Sequence, residues 1–344
     1  MLRTTQALLV VLTAALLAAC GKGTPITSGT PTPPPTPPPA VTSQYPIPSA
    51  SSHPMGIALG SDGNLWITEF AASKIGQLNS AGGISENVTP TRFAGPTGMA
   101  SGPAPNLNMW FTEKSVAKIG EITTTGPPYV EFTMPDSAAT PVGIALGSDG
   151  NMWVTDPGTN SIWRVAPLQR KPFVRFTQFR LHGNAKPLTI TNGPDDALWF
   201  TEPGTNSIGR IPVSGSPLSE YALPIAHCEP AGITSATDNS LWFTEEKAKQ
   251  IGRMSTTGTI IAQYPIPKSS TPNQIIQGVD GNFYFTDTAA NRMGQFFIGT
   301  HRAAYYSIPT PNSQPTAMTL GLDSEIYFVE TAGNKIGQFR YFAV

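Results

Sequence analysis

Seven acidic residues occupy one position of a repeated segment, shortly after an aromatic residue. They are Glu69, Glu113, Asp156, Glu202, Glu245, Asp287 and Glu330. Seven carboxylates at regular spacing could form a ring of cation ligands. Several of them, however, are followed by a lysine or arginine that would face them across a short hairpin, as Lys74 follows Glu69. This spacing favours cross-strand ion pairs that stabilise a sheet.

Histidine and cysteine are the other side chains that could act on a substrate near neutral pH. The four histidines are His53, His182, His227 and His301. The first three precede prolines that open strands, whereas His301 lies elsewhere in the repeat. His227 adjoins Cys228 and Glu229 and is the best candidate for a catalytic base, although each histidine alone is typical of a solvated loop. Cys228 has no histidine and carboxylate at a recognised spacing, so the sequence does not indicate a nucleophilic thiol.

The segment that carries the acids repeats seven times. Its central aromatic residues are Trp66, Trp110, Trp153, Trp199, Trp242, Tyr284 and Tyr327, at successive steps of 44, 43, 46, 43, 42 and 43 residues. A period of this length is typical of propellers and solenoids.

Each repeat contains four strand candidates. The first follows a proline such as Pro54, and an Asp-Gly turn such as Asp62-Gly63 leads to the aromatic strand. The third contains Ile-Gly, and the fourth tolerates proline, which is confined to sheet edges. The pattern predicts an all-β, seven-bladed β-propeller of four-stranded antiparallel blades. Because the turn joins strands one and two, the opening prolines and the acids should share one face. We expect His53, Lys186 and His227 to contact a ligand there.

The ends of the chain predict how the ring closes. The seventh repeat stops after its third strand, near Phe342, whereas an extra segment, Gln44-Tyr45-Pro46, precedes the first repeat. This segment nearly matches the fourth strand of another repeat at Gln263-Tyr264-Pro265. We therefore expect the N-terminal strand to complete the last blade, which leaves no free blade edge.

Composition excludes two classes of protein. Only 12% of the 344 residues are charged, against roughly 25% in average soluble domains, and the chain has 35 prolines and 33 glycines. These values argue against a helix-rich protein, because proline and glycine break helix interiors. A net charge of -1 argues against a nucleic acid as partner.

The N-terminus predicts a location. An apolar run at residues 7–19 suits a signal peptide, and Leu17-Ala18-Ala19-Cys20 resembles the lipobox of bacterial lipoproteins. We predict a signal peptide at residues 1–19, a lipidated Cys20 with a Thr/Pro-rich linker at residues 20–43, and the propeller at residues 44–344. The lipid would hold the protein to a membrane of the cell envelope, inner or outer. An ordinary secretory signal or an uncleaved anchor is the alternative.

The repeat P-x-G-I, D-G-x-L-W-F-T-E, I-G-R resembles the streptogramin lyase (virginiamycin B lyase) family from residue 45 to residue 344. The resemblance implies a seven-bladed propeller. Enzymes of that family open the ester-closed ring of a cyclic peptide antibiotic by elimination, with Mg²⁺. The resemblance also implies that the catalytic groups lie at the start of the last blades. One of these blades has the motif P-H-A-I, and the next has E-P-H-G-I together with a carboxylate four residues after its aromatic residue.

This chain departs from those motifs. The residues after the opening prolines are Met55, Thr97, Val142, Leu188, Ala231, Asn273 and Thr316, and none is histidine. The segment from Glu229 to Ile233 keeps E-P-x-G-I with alanine for histidine, and Glu246 lies four residues after Trp242. Glu229 and Glu246 are thus either an altered metal site or surface acids of a glutamate-rich repeat.

Two functions remain. The missing histidines favour a module that binds a small molecule, peptide or protein at the mouth of the propeller and needs no cofactor. The alternative is a Mg²⁺-dependent lyase with a rearranged site built from Glu229, Glu246 and His227, so whether the chain is an enzyme stays open.

Overall fold

Short β-strands make up all the regular secondary structure of the described chain. The computed structural model describes residues 40–168 and 173–341, and the predicted signal peptide, Cys20 and most of the linker lie outside these ranges. In chain order the strands are β1 Ala40–Pro46, β2 Pro54–Leu59, β3 Leu65–Glu69, β4 Lys74–Leu78, β5 Ile84–Val88, β6 Pro96–Ser101, β7 Met109–Glu113, β8 Lys118–Thr123, β9 Gly126–Thr133, β10 Ile144–Leu146, β11 Met152–Asp156, β12 Ser161–Pro167, β13 Val174–Arg180, β14 Ile190–Asn192, β15 Ala197–Glu202, β16 Ser207–Pro212, β17 Ser219–Ala222, β18 Pro230–Ser235, β19 Ser240–Glu245, β20 Gln250–Ser255, β21 Ile260–Pro265, β22 Pro272–Gln277, β23 Phe283–Asp287, β24 Arg292–Phe297, β25 Arg302–Ser307, β26 Pro315–Leu320, β27 Ile326–Glu330 and β28 Lys335–Arg340.

The strands form seven antiparallel sheets of four strands each. Six sheets use consecutive strands, from β2–β5 in blade 1 to β22–β25 in blade 6, and blade 7 has the order β1-β28-β27-β26. The innermost strands contact one another in a closed ring, with β26 against β2. The predicted seven-bladed propeller is therefore confirmed.

The N-terminal strand closes the ring as predicted. Tyr45 of β1 pairs with Ile336 of β28, and the pairing continues to Ala40 opposite Arg340. The first strand thus extends back to Ala40, so the predicted start of the propeller at residue 44 lies inside β1.

The aromatic residues of the second strands form the core between blades. Trp66, Trp153, Trp199, Trp242 and Tyr284 are fully buried. The ring of Trp242 stacks on that of Phe283 in the next blade, with centroids 4.2 Å apart. Burying such a side chain contributes about 2–3 kcal/mol. These residues therefore hold neighbouring blades together, as expected, rather than forming an exposed binding platform.

In every blade except blade 3, which has Trp163 at this position, a glycine of the third strand leaves room for strand two. A Cβ atom on Gly209 would lie 2.1 Å from the ring of Phe200 and 2.7 Å from Oε1 of Glu202. On Gly120 it would lie 2.1 Å from the ring of Phe111. No side chain fits there, which explains the recurrent Ile-Gly of the repeat.

The turn between strands one and two is fixed by its aspartate. Asp62 Oδ1 accepts hydrogen bonds from the Asn64 backbone N–H and from Trp66 Nε1, both at 3.2 Å. Gly63 supplies the left-handed φ of 79° that this turn needs. The same aspartate therefore shapes the hairpin and satisfies the buried indole N–H.

In blades 1 to 6, a threonine hydroxyl of strand two links the blade to the next one. Thr68 Oγ1 accepts the N–H of Gly56 at 2.8 Å and donates to the carbonyl of Thr97 in blade 2 at 2.6 Å. The corresponding donors in blades 2 to 6 are Thr112, Thr155, Thr201, Thr244 and Thr286. Blade 7 has Val329 at this position, so this ring of hydroxyls is interrupted where blade 7 meets blade 1.

No element within the described residues is an apolar helix of the length needed to cross a membrane.

Candidate functional site at the mouth of the propeller

The two faces of the ring differ in what they carry. Pro54 pairs with Glu69 at one end of blade 1, which confirms that opening prolines and strand-two acids share a face. We call this the mouth face and the opposite one, with the Asp-Gly turns, the turn face. Arg340, the last residue of β28, pairs with Ala40 at the turn face. The chain therefore begins its first strand on the face opposite the mouth.

A central cavity of about 280 Å³ opens on the mouth face. Its lining comes from the inner strands of every blade except blade 5: Met55, Gly56, Ile57, Thr97, Gly98, Met99, Val142, Gly143, Ile144, Leu188, Thr189, Ile190, Asn273, Gln274, Thr316, Ala317 and Met318. None of these residues is ionisable. The wall of the cavity can bind apolar groups and form neutral hydrogen bonds, but it has no acidic or basic side chain of its own.

The amide groups of this wall lie on one side, because Asn273 and Gln274 both come from blade 6. Hydroxyl groups come from blades 2, 4 and 7, and at the position after the opening proline Met55, Val142 and Leu188 make blades 1, 3 and 4 apolar. Ala231, the blade 5 residue at the same repeat position, is only 4% exposed. A ligand in the mouth would therefore find amide groups at blade 6 and a mainly apolar side at blades 1, 3 and 4.

The predicted contact residues His53 and Lys186 lie outside the lining. Both are exposed and directly precede the prolines that open their strands, with φ of 50° and 51°. The Lys186 N–H donates to Asn160 Oδ1 at 3.0 Å, and the His53 carbonyl accepts from Phe70 N at 3.2 Å. These backbone contacts fix the two residues near the mouth and leave their side chains in solvent.

Cys228 is buried while its neighbour His227 is exposed. The Cys228 N–H donates to Asn206 Oδ1 at 2.7 Å, which turns this side chain inward. Burial, together with the negative charge of Glu245, raises the pKa of the thiol far above its ordinary value. Since the thiolate is the reactive form, this cysteine is suited to packing rather than to nucleophilic attack.

Glu229 and Glu246 do lie beside each other. The Glu246 N–H donates to the Glu229 carbonyl at 2.9 Å, and both side chains are partly exposed, by 46% and 31%. Lys247 Nζ lies 3.9 Å from a carboxylate oxygen of each. In the described part of the chain no three histidine, cysteine or acidic side chains are grouped as metal ligands. The positive charge between these two carboxylates is therefore an ammonium group.

The strand-two acids do not line the mouth. Glu69 and Glu113 are fully buried, and burial, with the nearby charges of Glu86 and Glu131, raises the pKa of each from 4.5 to about 8. Their oxygens find no hydrogen-bond donor among the described residues. They are thus neutral acids near pH 7.

The expected ion pairs across the hairpin are wrong for blades 1 and 2. Lys74 is the Cα partner of Glu69, but its ammonium binds Glu86 on the outer strand at 2.8 Å. Lys118 likewise binds Glu131 at 2.7 Å. The lysines pair with the more exposed carboxylates, because the desolvation free energy of a charged carboxylate is lower there. In blade 6 the expected pair does form, between Arg292 and Asp287 at 2.8 Å.

Comparison with known proteins decides the family. The profile of the Virginiamycin B lyase family matches residues 39–171 and 169–342. The chain belongs to this family.

Solved structures agree with the family assignment. A streptogramin B lyase is 33% identical, with a TM-score of 0.79 over 87% of this chain and 96% of that chain. Virginiamycin B lyase from Staphylococcus aureus is 31% identical, with a TM-score of 0.79 over 87% and 99%. A catalytically inactive variant of the same enzyme, in complex with quinupristin, matches with the same values. No protein in a search of curated sequences gave a significant match.

Blades 6 and 7 carry neutral polar residues around their opening prolines. Asn273 follows the opening proline of blade 6, and blade 7 has Gln314 and Thr316 around its proline. The residue four positions after the blade 7 aromatic is Thr331, whose hydroxyl lies 2.8 Å from that of Thr316 and donates to the Pro54 carbonyl at 2.8 Å. Amide and hydroxyl groups thus flank the opening prolines of the last two blades.

The sequence interpretation missed part of the cavity wall. Gln274 and Met99 line it, although the sequence interpretation names only the position directly after each proline. The repeat does carry a signal for them, because the three residues after the proline lead into or belong to the innermost strand of every blade. All three positions are therefore candidates for the central wall.

Proposed function

We propose that this member of the virginiamycin B lyase family is a binding module that holds a neutral or amphipathic ligand at the mouth of the propeller. The observation that carries the proposal is the cavity wall without an ionisable side chain. A small molecule, a peptide or a loop of a partner protein could fill it. The apolar side from blades 1, 3 and 4 would contact hydrocarbon, and the Asn273 side would satisfy amide or ester groups.

The same wall argues against elimination chemistry. An elimination needs a group that accepts a proton near neutral pH and charge stabilisation for the developing anion. Asn273 and Thr316, at the motif positions of the last blades, are not bases at neutral pH. His227 is exposed and does not line the cavity. Binding without turnover is therefore the function that best fits these residues.

The proposed location is compatible with this function. We propose that Cys20 carries the lipid and that the Thr/Pro-rich linker of residues 20–43 connects it to the propeller, which would hold the protein to a membrane of the cell envelope. Ala40 begins β1 on the turn face, so the first strand starts on the face opposite the mouth.

Calorimetry with quinupristin, the ligand named in a related structure, tests the binding proposal. We expect L188E to abolish binding, because it puts a charge into the apolar side of the wall. L322E is the control, since Leu322 is 75% exposed on the turn face. Equal affinity in both variants would contradict a site at the mouth. If quinupristin does not bind, short amphipathic peptides are the next probes, with the same two variants.

The lyase function has one observation in its favour, which is the adjacency of Glu229 and Glu246. If Mg²⁺ displaced Lys247, it could be held by these carboxylates, which suit a hard cation. Incubation with quinupristin and Mg²⁺, followed by mass spectrometry, would show a linearised product. A product lost in E229Q would establish the lyase and overturn the proposal of binding alone.

A further inference from the structure

An outer-strand carboxylate holds the connecting loop in three of the blades. In blade 1, Glu86 accepts the backbone N–H of Ser49 at 2.7 Å and its hydroxyl at 2.9 Å. In blade 2, Glu131 accepts the N–H of Thr91 at 2.9 Å and its hydroxyl at 2.5 Å. Each carboxylate thereby fixes the loop that leads from the previous blade to the opening proline.

Blade 4 has the same arrangement with an imidazole as the donor. Glu220 accepts the His182 backbone N–H at 3.0 Å and lies 2.7 Å from Nδ1 of its ring. The ring is 86% exposed, whereas the Glu220 side chain is only 17% exposed. Solvent protons therefore reach the histidine, while the carboxylate that it binds is largely covered.

The three blades differ in their source of positive charge. A buried acid lies near each outer carboxylate: Glu69 in blade 1, Glu113 in blade 2 and Glu202 in blade 4. In blades 1 and 2 a lysine opposite that acid pairs with the outer carboxylate. The residue opposite Glu202 is Ser207. Within the described residues, the ion pair of Glu220 is the one with His182.

We infer that His182 and Glu220 form a proton-operated clasp on the loop of residues 181–186. Protonated imidazole binds the carboxylate with a charge-assisted hydrogen bond, and such bonds are about twice as strong as neutral ones. When the proton leaves, Glu220 keeps its charge with no cation at its side. The loop is then held more weakly, while the lysine-bearing blades 1 and 2 are unchanged.

Other charged groups near the clasp do not replace the imidazole. Glu202 faces Glu220 from β15, and burial, together with the charge of Glu220, raises its pKa to about 8. Arg180, at the end of β13, and Lys186, at the end of the loop, are both exposed. Imidazole is the type of side chain that ordinarily changes its charge between pH 5 and pH 8, so His182 is the group through which a proton would act on this contact.

The clasp acts on a segment that leads into the cavity wall. Lys186 ends the loop, and Leu188 lines the mouth two residues later. Loosening of this loop at higher pH would reach the apolar side of the wall. The clasp itself does not depend on the proposed binding function, because it is measured without a ligand.

Hydrogen exchange of the full chain at pH 5.5 and pH 7.5, corrected for intrinsic exchange rates, tests this inference. We expect the amides of residues 181–186 to exchange about three to five times faster at pH 7.5, the range for a partly exposed ion pair. The loops of residues 47–53 and 89–95, held by Glu86 and Glu131, are internal controls and should change by less than about 1.5-fold.

Two substitutions identify the cause. S207K places a lysine where blades 1 and 2 have theirs, and it should keep the loop protected at both pH values. H182S copies the serine of blade 1 without a cation, and its loop should exchange fast at both. A wild-type loop with no pH dependence would overturn the inference, as would a pH dependence that persists in H182S.

Discussion

The belt of strand-two acids and the wall of the mouth occupy the same repeats and have opposite properties. The belt has a carboxyl group in all seven blades and is fully buried, whereas the wall carries no charge and has a different residue in nearly every blade at the position after the opening proline. Features present in every repeat serve blade packing, because every blade has the same neighbours. The single ligand site must come from what differs between blades.

This contrast separates residues that look catalytic from residues positioned to act. Glu69 and Glu113 are strongly perturbed acids, yet they lie between strands of their own blades and do not contact the cavity. Asn273 and Thr316 are unremarkable in type but line it. A perturbed pKa alone would have selected the wrong region, since structural carboxyl groups are perturbed by burial as well.

The largest effect on stability should come from a side chain at a third-strand glycine, because it would fill the space that the strand-two residues occupy. G209A puts a Cβ atom against Phe200 and Glu202, and we expect it to lower the free energy of unfolding by about 3 kcal/mol. G150A is the control: its φ is 73°, but nothing lies within 4 Å of a Cβ atom there, so about 1 kcal/mol is expected. Urea unfolding measures both. Equal losses would show that backbone strain, rather than space, makes these glycines necessary.

The repeat explains how much of this could be predicted. A strand pattern that is ambiguous in one copy becomes clear when it recurs seven times. The repeat therefore predicts Trp242 as a core residue and β1 as the strand that closes the ring. The partner of Lys74 was not, because sequence spacing gives Cα pairs and not the relative cost of burying two carboxylates. The cavity wall was only partly predictable, since it depends on which side chains of the inner strands face the axis.

The second effect is a dependence of stability on pH that comes from the belt. The pKa of Glu69 is about 8 in the folded chain and near 4.5 when unfolded. Its contribution to stability is therefore complete below about pH 4.5 and is lost as the pH rises through 8. The side chain at this position stays neutral in the E69Q variant. The loss of unfolding free energy between pH 5 and pH 9 should therefore be smaller in E69Q than in the wild type, by on the order of 2 kcal/mol.

E246Q provides the matched control for this experiment, because Glu246 is partly exposed on the mouth face. Urea unfolding at the two pH values should give the same loss for E246Q as for the wild type. If E69Q also lost as much as the wild type, the buried acid would be ionised in the folded chain, and the belt would not differ from the surface.

A third, smaller effect tests the interruption in the ring of hydroxyls. V329T should accept the N–H of Ala317 and donate to the carbonyl of Met55, as Thr68 does one blade further on. We expect a gain of about 0.5–1 kcal/mol, the usual net value of a hydrogen bond. V154T is the control, since Val154 is equally buried but occupies the repeat position of Ile67, where no blade has the linking hydroxyl, and it should lose about 1–2 kcal/mol. A loss of stability in both variants would show that the contact between blade 7 and blade 1 is more stable with valine than with threonine.

The smallest effect on stability is expected on the mouth face, at Lys247. Its side chain is 56% exposed, with the ammonium 3.9 Å from both carboxylates, and such exposed pairs contribute about 0.5 kcal/mol or less. K247A should therefore leave the unfolding free energy almost unchanged. It should, however, strengthen Mg²⁺ binding measured by calorimetry, because Glu229 and Glu246 lose their internal cation. K249A is the control, because it also removes one positive charge from this part of the chain but leaves Lys247 beside the two carboxylates. Equal Mg²⁺ affinity in the wild type and both variants would mean that the two acids are surface residues like any others, and the lyase alternative would lose the observation on which it depends.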